Sequence, residues 1–150
     1  MTRLVDVRTV PKSRHNPQYN HDALARRLQD AGIGYEHMKA LGGLRRPRKD
    51  SPNTAWRNGS FRGYADYMQT QEFASALDAL IGTAAHERLV LMCAEAVPWR
   101  CHRSLIADSL AARGYSAEHI MSATRSNRHT ITSFAKLDGT SITYPADVNE

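Results

Sequence analysis

The start of the chain reads as a strand, a helix and a second strand, and this order constrains the fold more than any other feature. Leu4–Val7 predicts a short buried strand. The helix that follows has apolar residues at helical spacing and ends at Gly32, and Ile33–Met38 predicts the second strand. Two strands joined through a helix pair in parallel, with a right-handed crossover. The sequence therefore predicts an α/β fold.

The rest of the chain extends this pattern. Arg88–Cys93 predicts a third strand and Ser116–Met121 a fourth, whose carboxyl end we expect at the same edge of the sheet. Thr130–Ala135 and Ser141–Tyr144 predict the arms of a hairpin around an Asp-Gly turn. We expect residues 1–150 to form a single three-layer α/β domain. Its sheet is mostly parallel, Rossmann-like and flanked by helices, with a C-terminal β-hairpin.

A long basic segment separates the second and third strands. It begins after Gly43, contains Arg45–Lys49 and shows neither helical nor strand periodicity, so we expect a functional or mobile loop. Two helices follow it, one beginning near Ser60. The second carries an apolar stripe that starts at Phe73 and is predicted to end at Gly82.

Composition narrows the classes of protein. With 41% hydrophobic and 23% charged residues over 150 positions, the chain is expected to be globular rather than disordered. Neither a run of about 20 apolar residues nor an N-terminal signal segment is evident, so the expectation is a cytoplasmic protein with no membrane partner. The net charge of +5 suits an anionic small molecule or nucleic acid, although solubility alone also explains it. The oligomeric state stays open.

Leu89–Ile106 is the segment that predicts a site. A buried strand runs into a loop that carries both cysteines, and the loop runs into an amphipathic helix. In open α/β sheets, ligands bind at such turns from strand end to helix start. The candidate catalytic residues are Asp6, Cys93, Glu95, Cys101 and His102. The candidate substrate- or anion-binding residues are Arg8, Ser13, Arg14, Gly42, Gly43, Arg100 and Arg103.

Each group of candidates has alternatives. A cysteine at a helix start among arginines is a nucleophile of lowered pKa, but it is equally a zinc ligand or a small buried residue. Seven residues separate Cys93 from Cys101, which is not a standard zinc-ligand spacing, so no metal ligand is assigned; His37 or His119 would have to complete a site. No cofactor is identified. Asp6 and Glu95 form a general acid–base pair, or they hold the arginines in salt bridges.

Aromatic residues near the basic segment suggest nucleic acid as a ligand. Exposed rings beside arginines stack bases, and Trp56-Arg57 and Trp99-Arg100 are the pairs that fit this role, whereas core packing explains the same rings without a ligand. The remaining histidines are expected on the surface; they are His15, His21, His86 and His129.

Four motifs in order carry a family resemblance. They are LVDVRTVPKSR, GIGYEHMKALGG, WRNGSFRGYADYM and LMCAEAVPWRCHRSLIADSL, followed by HI at residues 119–120. Over Leu4–Ile120 the chain resembles the uncharacterised bacterial family named domain of unknown function, family 488. The signature positions include every candidate above except Arg100, together with Pro11, Tyr35, Trp56, Phe61, Tyr64 and Pro98. The resemblance supports the fold and the location of the site, and it implies no activity.

Two functions remain. The first is an enzyme acting on a phosphate-bearing substrate, a nucleotide or a nucleic-acid end, at a pocket of Cys, Glu, His and Arg side chains. The second is a nucleic-acid-binding accessory protein without catalysis. A metal- or redox-sensing protein is a weaker third.

Overall fold

The computed structural model describes residues 1–95 and 101–146, which contain four α-helices and seven β-strands. They form two compact units. The first unit is Met1–Gly43 with Gln71–Ala94, and the second is Leu44–Thr70 with Glu95–Glu150. The mixed α/β class is confirmed, while the expectation of one domain stays a prediction. Throughout the described ranges, every helix falls short of the length and hydrophobicity that crossing a bilayer demands.

A parallel sheet of three strands organises the first unit. β1 (Arg3–Asp6) lies between β2 (Gly34–His37) and β3 (Leu89–Met92). Asp6 pairs with His37 on one side and with Met92 on the other, so the carboxyl ends of the strands are level. The parallel pairing predicted from the strand–helix–strand order is confirmed.

Two helices accompany this sheet, α1 (His21–Asp30) and α3 (Gln71–Ala84). α1 ends as predicted, because Gly32 takes a φ of +74° that a residue with a Cβ rarely adopts. α3 runs two residues beyond the predicted end at Gly82, which lacks the positive φ of a helix-ending glycine. The predicted apolar stripe of α3 is buried at Phe73, Leu77 and Leu80, which contribute to the core with Val5 and Val7, whereas Ile81 of the same stripe is half-buried.

The second unit contains α2 (Gly59–Tyr67) and α4 (Arg103–Ala112) with two antiparallel strand pairs. β4 (Glu118–Ser122) pairs with β5 (Arg125–Arg128), and not with the parallel sheet as the sequence suggested. Only two residues connect β4 to β5, which is enough for an antiparallel turn and too short for the crossover that a parallel pair needs. The placement of the fourth strand in the parallel sheet was wrong.

A second antiparallel pair lies near the C-terminus. β6 (Lys136–Asp138) pairs with β7 (Ser141–Thr143), and Gly139 in the turn has a φ of +63°. The sequence predicted the first arm at Thr130–Ala135, but this segment is not a strand and the arm observed is β6, which begins at Lys136. Thr132 in that segment donates its backbone N–H and its hydroxyl to Asp108 of α4, which ties the segment to a helix rather than to a strand ladder.

The long basic segment is held against α2. The buried Asp66 accepts the backbone N–H of Arg48, the hydroxyl of Ser51 and the side-chain amide of Asn53. Gly63 allows close approach, since a Cβ there would lie 2.1 Å from the carbonyl oxygen of Arg45. The segment therefore owes its shape to α2, although it has no regular structure of its own.

Candidate functional site

Asp6 lies at the carboxyl end of β1 and is fully buried. The Asp6 carboxylate accepts two hydrogen bonds from the Arg8 guanidinium, from Nε to Oδ1 at 2.9 Å and from a terminal nitrogen to Oδ2 at 2.7 Å. The Tyr35 hydroxyl donates to Oδ2 at 2.5 Å. Burial raises the pKa of the Asp6 carboxyl, but the hydrogen bonds from Arg8 and Tyr35 outweigh it and hold the pKa below its ordinary value. Burial and the bond to Asp6 raise the pKa of Tyr35.

Arg8 is itself buried, with 6% of its surface exposed. Besides Asp6, its guanidinium donates to the carbonyl oxygen of Tyr19, and its own carbonyl accepts a hydrogen bond from His37 Nε2 at 2.6 Å. The hydrogen bond to Asp6 raises the pKa of Arg8. These contacts are those of the salt-bridge alternative. The acid–base role of Asp6 and the anion-binding role of Arg8 stay predictions.

The other first-unit candidates lie in the loops that follow β1 and β2. Ser13 donates its N–H to Asn20 Oδ1 and accepts at Oγ from Asn16, and the Arg14 side chain is exposed. A Cβ on Gly42 would lie 2.5 Å from Thr9 Oγ1 and 2.9 Å from the Thr9 backbone, so this position requires glycine for close approach of the two loops. Thr9 also donates to the carbonyl oxygen of Gly43.

Cys93 directly follows β3 and is half-buried. The N–H of Val7 donates to the carbonyl oxygen of Met92 at 2.8 Å, which continues the pairing of β1 and β3 up to this cysteine. Cys93 is not in a disulfide.

Cys101 of the second unit precedes α4 and is 3% exposed. Its Sγ accepts the backbone N–H of Arg103 at 3.4 Å and the Arg103 Nε–H at 3.3 Å, and it lies 3.7 Å from His102 Nδ1. The His102 ring packs on Tyr64, with centroids 4.8 Å apart. A sulfur surrounded by N–H groups and an imidazole is the arrangement that activates a thiol.

N–H groups at the start of α4 are bonded locally, although the start of a helix is a common anion-binding site. The N–H groups of Ser104 and Leu105 bond to the carbonyl oxygens of Cys101 and His102. A terminal N–H of the Arg103 guanidinium donates to the backbone carbonyl oxygen of Glu95, and Glu95 itself is exposed. Arg100, Pro98 and Trp99 lie outside the described residues.

The basic segment binds largely to its own unit. The Arg45 guanidinium stacks on the Tyr67 ring at 3.6 Å, and Arg48 pairs with Asp50. Trp56 packs against Phe61, Phe134 and Tyr144, so its ring belongs to an aromatic cluster rather than to an open stacking surface. These contacts are those of the core-packing alternative, and base stacking by Trp56 stays a prediction.

A chain of titratable side chains in the second unit was missed from the sequence. Asp108 of α4, fully buried, accepts from His129 Nε2 at 2.7 Å, and His129 Nδ1 lies 2.7 Å from His119 Nε2. The His129 side chain is 7% exposed, so its assignment to the surface was wrong. The His119–His129 contact depends on the β4–β5 hairpin, and their separation by ten residues around a short turn is the signal that could have revealed it.

His119 and His129 line a cavity of about 260 Å³ within the same unit. Trp56, Ser104, Met121 and Thr132 contribute to its wall. Burial lowers the pKa of His119, and the charges of His129 and Arg103 lower it further, against the opposing effects of Asp108 and Cys101.

The sequence of the chain matches one known protein family. The chain belongs to the family described as Domain of unknown function DUF488, whose model matches residues 1–110. The predicted resemblance is thereby confirmed over residues 1–110, and the match ends ten residues short of the predicted Ile120. No curated protein and no solved structure matches the chain. The family's description assigns no activity.

Proposed function

We propose that this protein is an enzyme acting on a phosphate-bearing substrate, a nucleotide or a nucleic-acid end, with Cys101 as its nucleophile. The observation that carries the proposal is the surroundings of Cys101 Sγ: two N–H groups of Arg103 and the imidazole of His102 within 3.7 Å. N–H donors and a nearby guanidinium stabilise a thiolate, and His102 takes the thiol proton. Phosphate is the substrate group that suits Arg103 and a chain of net charge +5.

The proposed reaction needs no redox partner. The Cys101 thiolate forms an S–P bond while the P–O bond to the leaving group breaks, and the leaving oxygen takes a proton from Glu95. Water then cleaves the S–P bond as Glu95 takes a proton back. We assign acid–base work to Glu95 rather than Asp6, because the hydrogen bonds from Arg8 and Tyr35 occupy the Asp6 carboxylate and hold its pKa low.

For the first unit we infer a three-layer, Rossmann-like arrangement. The chain passes from β1 to β2 and then back across β1 to β3. Right-handed crossovers in these opposite directions would put α1 and α3 on opposite faces of the sheet. In such a sheet the strand order reverses between β1 and β3, and open α/β folds bind ligands at this point. Asp6 ends β1 and Cys93 follows β3, which supports a ligand-binding role for this edge.

Alkylation tests the nucleophile. The chain has two cysteines, so Cys93→Ser and Cys101→Ser each leave a single thiol. We expect Cys101 in the Cys93→Ser variant to react with iodoacetamide at a rate that titrates well below the free-cysteine value of about 8.5. Arg103→Lys, which keeps the charge but not the Nε–H donor, should move this titration upward. Ordinary titration of Cys101 would remove the thiol mechanism.

Turnover tests the enzyme. Release of inorganic phosphate from a panel of nucleotides and end-phosphorylated oligonucleotides is expected, and Cys101→Ser should lower it by about 10³-fold. If no substrate is hydrolysed while oligonucleotides bind with an affinity that falls steeply with salt, the accessory nucleic-acid-binding alternative replaces the enzyme.

A further inference from the structure

The chain of side chains Asp108, His129 and His119 links a buried carboxylate to the cavity of the second unit. Besides His129, Asp108 accepts the backbone N–H and hydroxyl of Thr132 and the hydroxyl of Tyr144, at 2.7–3.0 Å. Burial raises the pKa of this carboxyl, but these hydrogen bonds, with that of His129 the largest, hold it below its ordinary value. Asp108 is therefore ionised and fixed in position.

The ionised carboxylate sets the hydrogens on both imidazoles. Asp108 can only accept, so His129 Nε2 carries a hydrogen. In the neutral pair, His129 Nδ1 is then an acceptor, and His119 Nε2 donates to it across 2.7 Å. His119 Nδ1 is left with its lone pair. When His119 takes up a proton at that nitrogen, the ionised Asp108 stabilises the resulting imidazolium through His129, as the aspartate of a catalytic triad stabilises its histidine.

A second, independent feature of the cavity is an indole without a partner. Trp56 Nε1 is buried and has no hydrogen-bond partner within residues 1–95 and 101–146, although Trp56 lines the cavity. A buried donor without an acceptor is rare in folded proteins and calls for an explanation. A ligand oxygen in the cavity would provide the acceptor.

We propose that this cavity binds an uncharged ring amide, a flat molecule with a carbonyl oxygen for Trp56 Nε1 and an N–H for His119 Nδ1. The volume, about 260 Å³, falls just below that of sites for drug-sized ligands, which limits the occupant to a small ring system. In the reaction that this geometry permits, the ligand N–H proton moves to His119 Nδ1, the ligand becomes an anion, and Trp56 donates to its oxygen. The site does not depend on the chemistry proposed for Cys101.

Burial is the main reason why His119 is neutral in the resting state, and charged neighbours act on it in both directions. The groups that act on it are His129 and Arg103, which oppose its protonation, and Asp108 and Cys101, which favour it. A neutral imidazole is the form that can accept from the ligand. Ligand binding should therefore weaken in acid, as His119 Nδ1 gains a hydrogen and becomes a donor.

Nuclear magnetic resonance of the isotope-labelled full chain tests the proposal with uracil as the probe. The chain has two tryptophans, so Trp56→Phe assigns the Trp56 indole N–H signal. Uracil should shift this signal saturably at neutral pH. Uracil methylated on both ring nitrogens keeps its carbonyl groups but cannot donate to His119, and should bind at least about tenfold more weakly.

Two variants complete the test. His119→Gln should weaken uracil binding at least about tenfold and abolish its dependence on pH, whereas His86→Gln, an exposed histidine of the other unit, should bind as the parent does. The amide spectrum checks that each variant is folded. The proposal is overturned if uracil leaves the Trp56 signal unmoved, if the methylated compound binds equally well, or if His119→Gln binds with unchanged affinity.

Discussion

The two units each bury an aspartate completely, Asp6 in the first and Asp108 in the second, and the two carboxylates have different partners. Both accept a tyrosine hydroxyl, from Tyr35 and Tyr144, and both are ionised because hydrogen bonds outweigh the effect of burial on the pKa. Asp6 faces a guanidinium, whereas Asp108 faces an imidazole.

The partner decides what a buried carboxylate can do. Arg8 is charged at every pH at which the protein is folded, so the Asp6–Arg8 pair is a fixed dipole that orders the end of β1. His129 bonds to Asp108 through one ring nitrogen and to His119 through the other, so it passes the influence of Asp108 to the cavity. The first pair is suited to holding a structure, and the second to moving a proton.

Removing the guanidinium should have the largest effect on stability. Arg8→Ala leaves Asp6 buried with only Tyr35 and the backbone as donors, which is expected to lower the free energy of unfolding by about 3–5 kcal/mol. Urea denaturation measures the change. Asp50→Ala breaks the exposed pair with Arg48 and should leave the urea midpoint unchanged. A similar midpoint for both variants would show that Asp6 does not need its partner.

Asp108→Asn should have the next largest effect. The asparagine amide sets a donor against one or more of the donors on His129, Thr132 and Tyr144, at a cost of about 2–3 kcal/mol in the free energy of unfolding. Asp6→Asn in the first unit is the variant with which the free energy of unfolding and the His119 spectrum are compared. Only Asp108→Asn should also change the nitrogen chemical shifts of His119. Unchanged shifts would contradict the hydrogen positions assigned to His129 and His119.

How far the sequence predicts these two arrangements depends on the distance between their residues along the chain. Asp6 and Arg8 are two residues apart at the end of a strand with clear apolar character, so both the strand and the pairing alternative could be foreseen. Asp108 and His129 are 21 residues apart, and β5 between them consists of four exposed polar residues with no pattern that marks a strand. Without β5, His129 could not be brought to α4.

The same reasoning applies to the thiols. Cys101, His102 and Arg103 are consecutive, so their proximity followed from the chain itself. The first N–H groups of a helix commonly lack a partner within the helix, but the local turn bonds those of Ser104 and Leu105 to the carbonyl oxygens of residues 101 and 102. Spacing along a sequence predicts neighbours, but it does not reveal which donors the backbone itself satisfies.

The tyrosine hydroxyls offer a matched pair of smaller changes. Tyr144→Phe and Tyr35→Phe each remove one hydrogen bond to an ionised aspartate, which is expected to cost about 1.5–3 kcal/mol in the free energy of unfolding. Tyr144 is fully buried and Tyr35 is half-buried, so water can replace the hydroxyl of Tyr35 more readily. The loss should be greater for Tyr144→Phe in urea denaturation. The reverse order would mean that Asp6 is the more poorly solvated carboxylate.

The smallest expected effect is a difference in how the free energy of unfolding depends on pH, because His119 and the two buried aspartates titrate in different pH ranges. The pKa of His119 is lowered on folding, mainly by burial, so the unfolded chain binds more protons at this residue. Stability should therefore fall as pH drops from the unfolded value of about 6.5 through the folded pKa. The carboxylates Asp6 and Asp108, whose pKa values are also lowered on folding, lose their contribution to stability only as pH falls below about 3.9.

Urea denaturation of the His119→Gln variant from neutral to acid pH measures this effect. The variant should lack the loss of stability that begins near neutral pH, while His86→Gln should retain it. If His119→Gln follows the parent throughout, folding does not lower the pKa of His119, and burial does not favour its neutral form.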